Sequence, residues 1–349
     1  MFYRRPDRGH RGGRDGTAEI AAMLLRNLIL VLALFVMFAG RASAQEPIAV
    51  RFGVNASGGQ SEVIDAIRAY NLDRKYGFAV QEIDLTAPGQ QYVMFRGDAI
   101  DVSPGTYVDL LRQRKAGVAL QAFHGFQGYN NYIVVKPDSS IRSFADLKGK
   151  RMGEFGTTFL DWLILRAAGK KAFGFDIETD ATLVQGSPPL LNQLMARGEV
   201  DAMLQFSSLT LGPIKAGEQR VVIDVPGLMR RAGFNPNAFN SNWNVSERWN
   251  TTHPGALRRL SAMIDEAYAK LKTDDALWPA IAAKIGFTDP AVVVAYRNLA
   301  RQADNPPYNR SLIAPTQTLV DAISSIAGST AVGFTSVDPA AFLFPNERR

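Results

Sequence analysis

Hydrophobic positions along the chain change period every few residues. Residues 49–54 form a short apolar run and predict a strand. Over residues 61–75 the apolar positions Val63, Ile64, Ile67 and Tyr70 share one helical face, with Ser61 at the N-cap and Gly77 after the end. Further strands are predicted over 78–85, 100–102, 119–123 and 132–135, with helices over 90–96 and 106–115. After Lys136-Pro137-Asp138 the series restarts, with strands over 151–155, 181–184, 202–206 and 220–225 and helices over 158–168 and 188–197. Strands alternating with helices predict α/β units built on mainly parallel sheets.

The last third differs. Residues 240–245 read as one more strand, followed by helices over 254–271, 276–285, 290–301 and 317–326, the third opened by Asp289-Pro290. A weak internal repeat joins the two α/β units. Arg96-Gly97-Asp98 leads into Asp101-Val102, and Arg197-Gly198-Glu199 leads into Asp201-Ala202. Each glycine suits the left-handed position that ends a helix.

The N-terminal segment reads as an address. Residues 28–38 are an unbroken apolar run after Arg26, and Ala42-Ser43-Ala44 supplies small residues before Gln45, the layout of a secretory signal cleaved after Ala44. The run is shorter than the roughly 20 residues that span a bilayer. Residues 1–44 carry 7 Arg against 3 acidic residues, so most of the formal net charge of +6 belongs to the leader. The remainder is too close to neutral to predict nucleic-acid binding. The chain has no cysteine and only three histidines, His10, His124 and His253. That excludes disulfides and thiolate chemistry and leaves no metal motif.

Phe144-Ala145-Asp146-Leu147-Lys148-Gly149-Lys150-Arg151-Met152-Gly153 resembles the signature that opens the second lobe of type II periplasmic binding proteins. Gly156-Thr157-Thr158 with Asp161-Trp162-Leu163 resembles the nitrate/sulfonate/taurine branch of ABC-transporter binding proteins, whose relatives include binders of a pyrimidine precursor of thiamine. The resemblance spans roughly residues 48–330. It implies an α/β, two-lobed molecule: leader 1–44, first lobe 45–135, second lobe 136–239, and a return to the first lobe with C-terminal helices packed on it over 240–349. The crossings are expected near 130–135 and 239–245. The resemblance also implies a monomeric periplasmic receptor without a cofactor, capturing a small organic molecule or anion (of the sulfonate, taurine, nitrate or pyrimidine-like kind) between its lobes and delivering it to a permease and its ATPase, with no nucleic acid and no stable membrane insertion. Gln205-Phe206-Ser207-Ser208 departs from the acidic residue and proline common in that branch, so no ligand identity is carried over. A ligand-sensing partner of a signalling receptor is the alternative. An enzyme on this fold lacks a nucleophile or metal constellation here, and the cysteine-rich motif of the pyrimidine-synthesising relatives is missing.

In open α/β sheets ligands sit beyond the carboxyl ends of the strands, near helix N-termini. The candidates in the first lobe are accordingly Asn55, Ser57, Gln60, Gln91, Ser103, Thr106, His124 and Tyr129. In the second they are Gly156, Thr157, Thr158, Asp161, Ser187 and Phe206, and Asn242 stands on the returning strand. Thr157 is placed to cap the helix that follows, so a negative or strongly electron-rich ligand group is expected at Thr157 and Thr158. Asp161, if it faces the cleft, would pair instead with a ligand ammonium. Tyr132, Trp162 and Trp243 are further candidates for aromatic walls.

Overall fold

The computed structural model describes residues 46–55, 60–87 and 89–347, and otherwise only Met1, Met23 and Arg26. The signal segment and Ser57 therefore lie outside the described residues. The chain divides into Met1–Pro47 and Ile48–Arg349, and the fold is that of the second unit.

The first series comprises β1 (Ile48–Val54), α1 (Glu62–Ala69), α2 (Leu72–Tyr76), β2 (Phe78–Asp84), α3 (Gln90–Arg96), β3 (Val102–Thr106), α4 (Tyr107–Lys115) and β4 (Leu120–Gln127). The second comprises β5 (Tyr132–Val135), β6 (Arg151–Glu154), α5 (Leu160–Phe173), α6 (Ile177–Asp180), β7 (Thr182–Gln185), α7 (Pro188–Ala196), β8 (Ala202–Gln205), α8 (Ser207–Lys215), β9 (Arg220–Asp224) and α9 (Val225–Arg231). Then follow β10 (Ser241–Ser246), α10 (Glu247–Thr252), α11 (Ala256–Thr273), α12 (Trp278–Lys284), α13 (Pro290–Ala303), α14 (Ile313–Ala327) and α15 (Ser329–Val332).

Two five-stranded sheets result, in the orders β2-β1-β3-β10-β4 and β7-β6-β8-β5-β9. Each is parallel except for one strand: β10 runs antiparallel to β3 and β4, and β5 runs antiparallel to β8 and β9. The odd strand of each sheet is the one the chain delivers on crossing from the other lobe. Tyr132–Val135, expected at the end of the first lobe, is thus hydrogen-bonded in the second sheet. Two crossings, over 128–131 and 232–240, join the lobes, and this is the two-lobed α/β fold of type II periplasmic binding proteins.

The weak repeat has a physical counterpart. Arg51 donates to Asp101 from its backbone N (2.9 Å), Nε (2.9 Å) and Nη2 (2.6 Å). Arg151 donates to Asp201 through the same three atoms, at 2.8, 3.1 and 2.5 Å. In both lobes the Asp backbone N returns the bond to the Arg carbonyl at 2.9 Å. The two partners of each clamp lie fifty residues apart. The turn before each is left-handed, at Gly198 (φ 75°) as expected but at Asp98 (φ 54°) rather than Gly97, whose φ is −82°.

Some elements differ from expectation. The helix predicted over 61–75 is two helices, broken where Asn71 turns left-handed (φ 51°). β3 runs on through Ser103-Pro104-Gly105-Thr106, expected as a loop, because that stretch pairs with Ser241–Asn244 of β10. β4 likewise continues through His124-Gly125-Phe126 against β10. Residues 207–215, where the pattern predicts no element, form α8 despite Pro213.

The C-terminal helices are present. α11 covers the first sheet beside α1, burying Leu260, Met263, Ile264 and Ala267. α13 is capped by Asp289, whose Oδ1 accepts from the backbone N of Ala291 (2.8 Å) and Val292 (3.3 Å). α14 extends beyond the first lobe and packs on α5 of the second.

Candidate ligand cleft

A cavity of about 650 Å³ lies between the lobes, a size common for small-molecule sites. Its first-lobe wall comes from Asn55 after β1, Gln60, Gln91 in the first turn of α3, and Thr106. Gln60 Oε1 accepts from Asn55 N at 3.1 Å. Thr106 caps α4, accepting from Asp109 N at 3.1 Å and donating to Asp109 Oδ2 at 2.8 Å. The second-lobe wall is Phe159, Leu160 and Asp161 at the start of α5, and Phe206, Ser207 and Ser208 at the start of α8. Asn130, Asn131, Asn240 and Ser241 from the crossings form the floor, and Phe287, Tyr296 and Leu299 bring the C-terminal helices to the mouth.

Phe155, Phe159 and Phe206 pack together: Phe155 stacks on Phe206 at 4.6 Å and Phe159 meets Phe206 edge-on at 5.6 Å. Gly105 lies close beneath the first-lobe wall. A Cβ there would fall 2.6 Å from Tyr92 Oη and 2.9 Å from Asn244 Nδ2, so only glycine fits without displacing them.

Charge in the cleft has one sign. Among the described lining residues the Asp, Glu, Lys and Arg side chains are Glu62, Asp109 and Asp161, all acidic. Asp161 is 4% exposed. Its Oδ2 accepts from Asn131 Nδ2 at 2.5 Å, while its buried Oδ1 has no partner among the described residues. Burial lifts this carboxyl to about 6, opposed by the Asn131 hydrogen bond. Glu62 is buried, and the Tyr296 hydroxyl donates to its Oε1. Burial and the neighbouring Asp304 hold Glu62 well above the usual carboxylate range.

Of the sequence candidates, Asn55, Gln60, Gln91, Thr106, Asp161 and Phe206 line this cavity. The others lie elsewhere. Ser103 is buried inside β3, donating to Gly53 O at 2.7 Å. His124 faces α11, held between Gly125 O (2.7 Å) and Asp265 Oδ1 (2.9 Å), because β4 continues as a strand through it. Tyr129 donates to Phe239 O at 2.7 Å and so ties one crossing to the other. Gly156, Thr157 and Thr158 precede the helix without capping it. The Gly156 backbone N donates to the Glu154 carboxylate, Thr158 is exposed, and α5 begins only after Phe159. Ser187 precedes α7, away from the cavity, and makes no side-chain cap bond. Asn242 is buried within β10. Trp162 and Trp243 are core, their indole N–H groups donating to Glu178 and Tyr268.

Sequence reasoning missed Asn131, Ser207, Glu62 and Tyr296. The Asn130-Asn131 pair between two predicted strands was a usable signal. Tyr296 had none, since it meets Glu62 across 234 positions.

Among the described residues no helix is long and apolar enough to cross a membrane, and no group of His, Cys, Asp and Glu could hold a metal ion. A family model described as NMT1/THI5 like matches residues 82–273. No curated protein sequence matches the chain. Among solved structures, the alkanesulfonate-binding protein SsuA from Xanthomonas axonopodis pv. citri, bound to MOPS, superposes with a TM-score of 0.65 at 20% identity, covering 86% of this chain and 99% of that one. The periplasmic aliphatic sulphonate binding protein SsuA from Escherichia coli gives 0.66 at 19%, covering 82% and 91%. The desulfurization enzyme DSZB gives 0.56 at 17%, covering 83% and 97%. Identities this low establish a shared fold.

Proposed function

Since this chain belongs to the NMT1/THI5-like family, we propose that it is the periplasmic solute-binding component of an ABC importer, exported by a leader cleaved after Ala44. It captures a small organic molecule between its lobes and delivers it, unaltered, to a permease. The observation that carries this reading is the cavity itself. Its walls belong to two separate sheets, its floor belongs to the crossings, and amides from Asn55, Gln60, Gln91, Asn130 and Asn131 converge on it. Such a site closes when a ligand bridges the walls. Binding proteins among the structural neighbours support the same reading. DSZB makes catalysis the competing reading, and the chain carries no cysteine with which to build a thiolate nucleophile. Native mass spectrometry of protein taken from the periplasm without denaturation should find one small molecule bound. Prolonged incubation should return it at unchanged mass, whereas a product of different mass would establish an enzyme.

A further inference from the structure

The cleft carries an uncompensated negative charge. Asp161 is buried among Asn131, Leu160 and the phenylalanines of the second lobe. One of its oxygens has its hydrogen bond and the other, though buried, has none among the described residues. A buried acceptor left unpaired is costly, and a buried carboxylate more so. The remaining acidic side chains of the cavity, Glu62 and Asp109, do nothing to relieve it.

An anionic ligand finds little here. The described residues lining the cavity include no Lys or Arg, and the undescribed positions 56–59 and 88 are Ala, Ser, Gly, Gly and Pro. Amide and hydroxyl groups and helix starts would have to hold the anion without a cationic side chain among the described residues. Asp161 itself occupies the first turn of α5. At α8 the Phe206 N–H is taken by Gln205 Oε1 (3.0 Å), the Ser207 N–H by Asn131 Oδ1 (3.3 Å) and the Leu209 N–H by Phe206 O (2.9 Å). Like charge held in a water-poor cleft is repelled.

Resting on the solute-binding reading above, we propose that the ligand is an organic cation: a protonated primary amine on a compact apolar or aromatic body. Its ammonium donates to Asp161 Oδ1, and its body lies against Phe159 and Phe206. The cleft amides supply the remaining acceptors through Asn130 and Gln91. An ammonium satisfies the orphaned oxygen and neutralises the buried charge at once. Phe159 and Phe206 add apolar contact and the negative faces of their rings. The rise of the Asp161 carboxyl to about 6 has the same origin, a buried charge without a counterion.

The test uses the exported protein and three probes that share one ring: benzylammonium, benzyl alcohol and benzenesulfonate. Affinities come from calorimetry at pH 8, and native mass spectrometry identifies any co-purified molecule. Benzylammonium should bind about tenfold or more tighter than benzyl alcohol, the effect expected of a hydrogen bond to a charged group. Asp161→Asn should erase that preference, bringing benzylammonium and benzyl alcohol to similar affinities. Should the variant fail to fold, the unaltered protein should still lose the preference as pH falls from 8 to 5 and Asp161 takes up its proton. A sulfonate that binds best, a co-purified molecule without a basic nitrogen, or a preference that survives both Asp161→Asn and acid would overturn the cation and leave the solute receptor standing. A protein that binds none of the probes and carries no small molecule would overturn both.

Discussion

A single carboxylate shows how far a residue's type is from its role. Asp161 was legible as a residue near a helix start, with two possible orientations. Its Oδ2 is held by Asn131, which belongs to a crossing and not to its own helix. The linkage runs against stability. Its folded-state value, about 6, lies above the ordinary 3.8, so the folded protein holds a proton between those values that the unfolded chain has lost. Ligand-free stability from this group therefore falls as pH rises through that window and stays reduced above it. Asp161→Asn removes the penalty. Each tenfold difference in proton affinity between the folded and unfolded chain is worth roughly 1.4 kcal/mol. Set against the altered Asn131 bond, this leaves a gain of about 1–2 kcal/mol, so at pH 8 the ligand-free variant should melt a few degrees above the parent. Near pH 3, where both states of Asp161 are protonated, the gain should vanish. Calorimetric melting at the two pH values checks this, and a variant less stable at pH 8 would make Asp161 an ordinary structural carboxylate. His124 and Tyr129 teach the converse lesson. Both looked like cleft residues, and both are consumed by partners from distant segments, Asp265 and Phe239.

Elements were legible where periodicity alone decides them, and less so where a partner decides. β1, α3, β5, β6, α7 and β8 follow from local patterns of branched and apolar residues, and from caps such as Thr106 and Asp289. The far ends of β3 and β4 do not, because Ser103-Pro104-Gly105 and His124-Gly125 become strand only when β10 comes between them, more than a hundred residues later. α8 was hidden by Gly212 and Pro213, both poor helix formers. The repeat was visible as a turn but not as a clamp. Its Arg–Asp pairs fasten β1 to the start of β3 in the first lobe and β6 to the start of β8 in the second, and burial sets how much each contributes. The Asp101 side chain is 7% exposed against 30% for Asp201. Asp101→Ala leaves the Arg51 backbone N–H and guanidinium without their shared acceptor and should destabilise by about 1–3 kcal/mol. Asp201→Ala should shift the melting temperature less, since water replaces much of what is lost. Equal shifts in denaturant melts would show the two clamps to be equivalent despite their burial.

At the scale of the molecule, the features on which the proposed receptor role rests are the ones the sequence held least openly. Two α/β units could be read from the restart of the series, and the two crossings only from the family resemblance. Contacts that bridge the lobes could not, because each side chain involved resembles a solvent-facing one in its own segment. α8 of the second lobe meets α13, and Lys215 pairs with Asp289, the residue that caps α13. Tyr129 and Phe239 join the crossings, and the Thr316 hydroxyl of α14 accepts from the Phe239 backbone N at 3.0 Å. Hinge and latch therefore lie on opposite sides of the cavity, an arrangement suited to rotation of one lobe over the other. Both latch side chains are about half exposed, so the pair is weak and screened by salt. A weak latch is what a receptor needs, because the ligand must supply most of the difference between open and closed states. Lys215→Ala removes the latch and spares the Asp289 cap. Small-angle scattering of the ligand-free variant should give a larger radius of gyration than the parent at low salt, and the two should converge as salt rises. With ligand bound, parent and variant should close to the same smaller radius, since the cleft contacts then hold the lobes. A radius indifferent to ligand in the parent, under conditions where calorimetry shows saturation, would mean that the lobes are fixed and that the solute enters without closure.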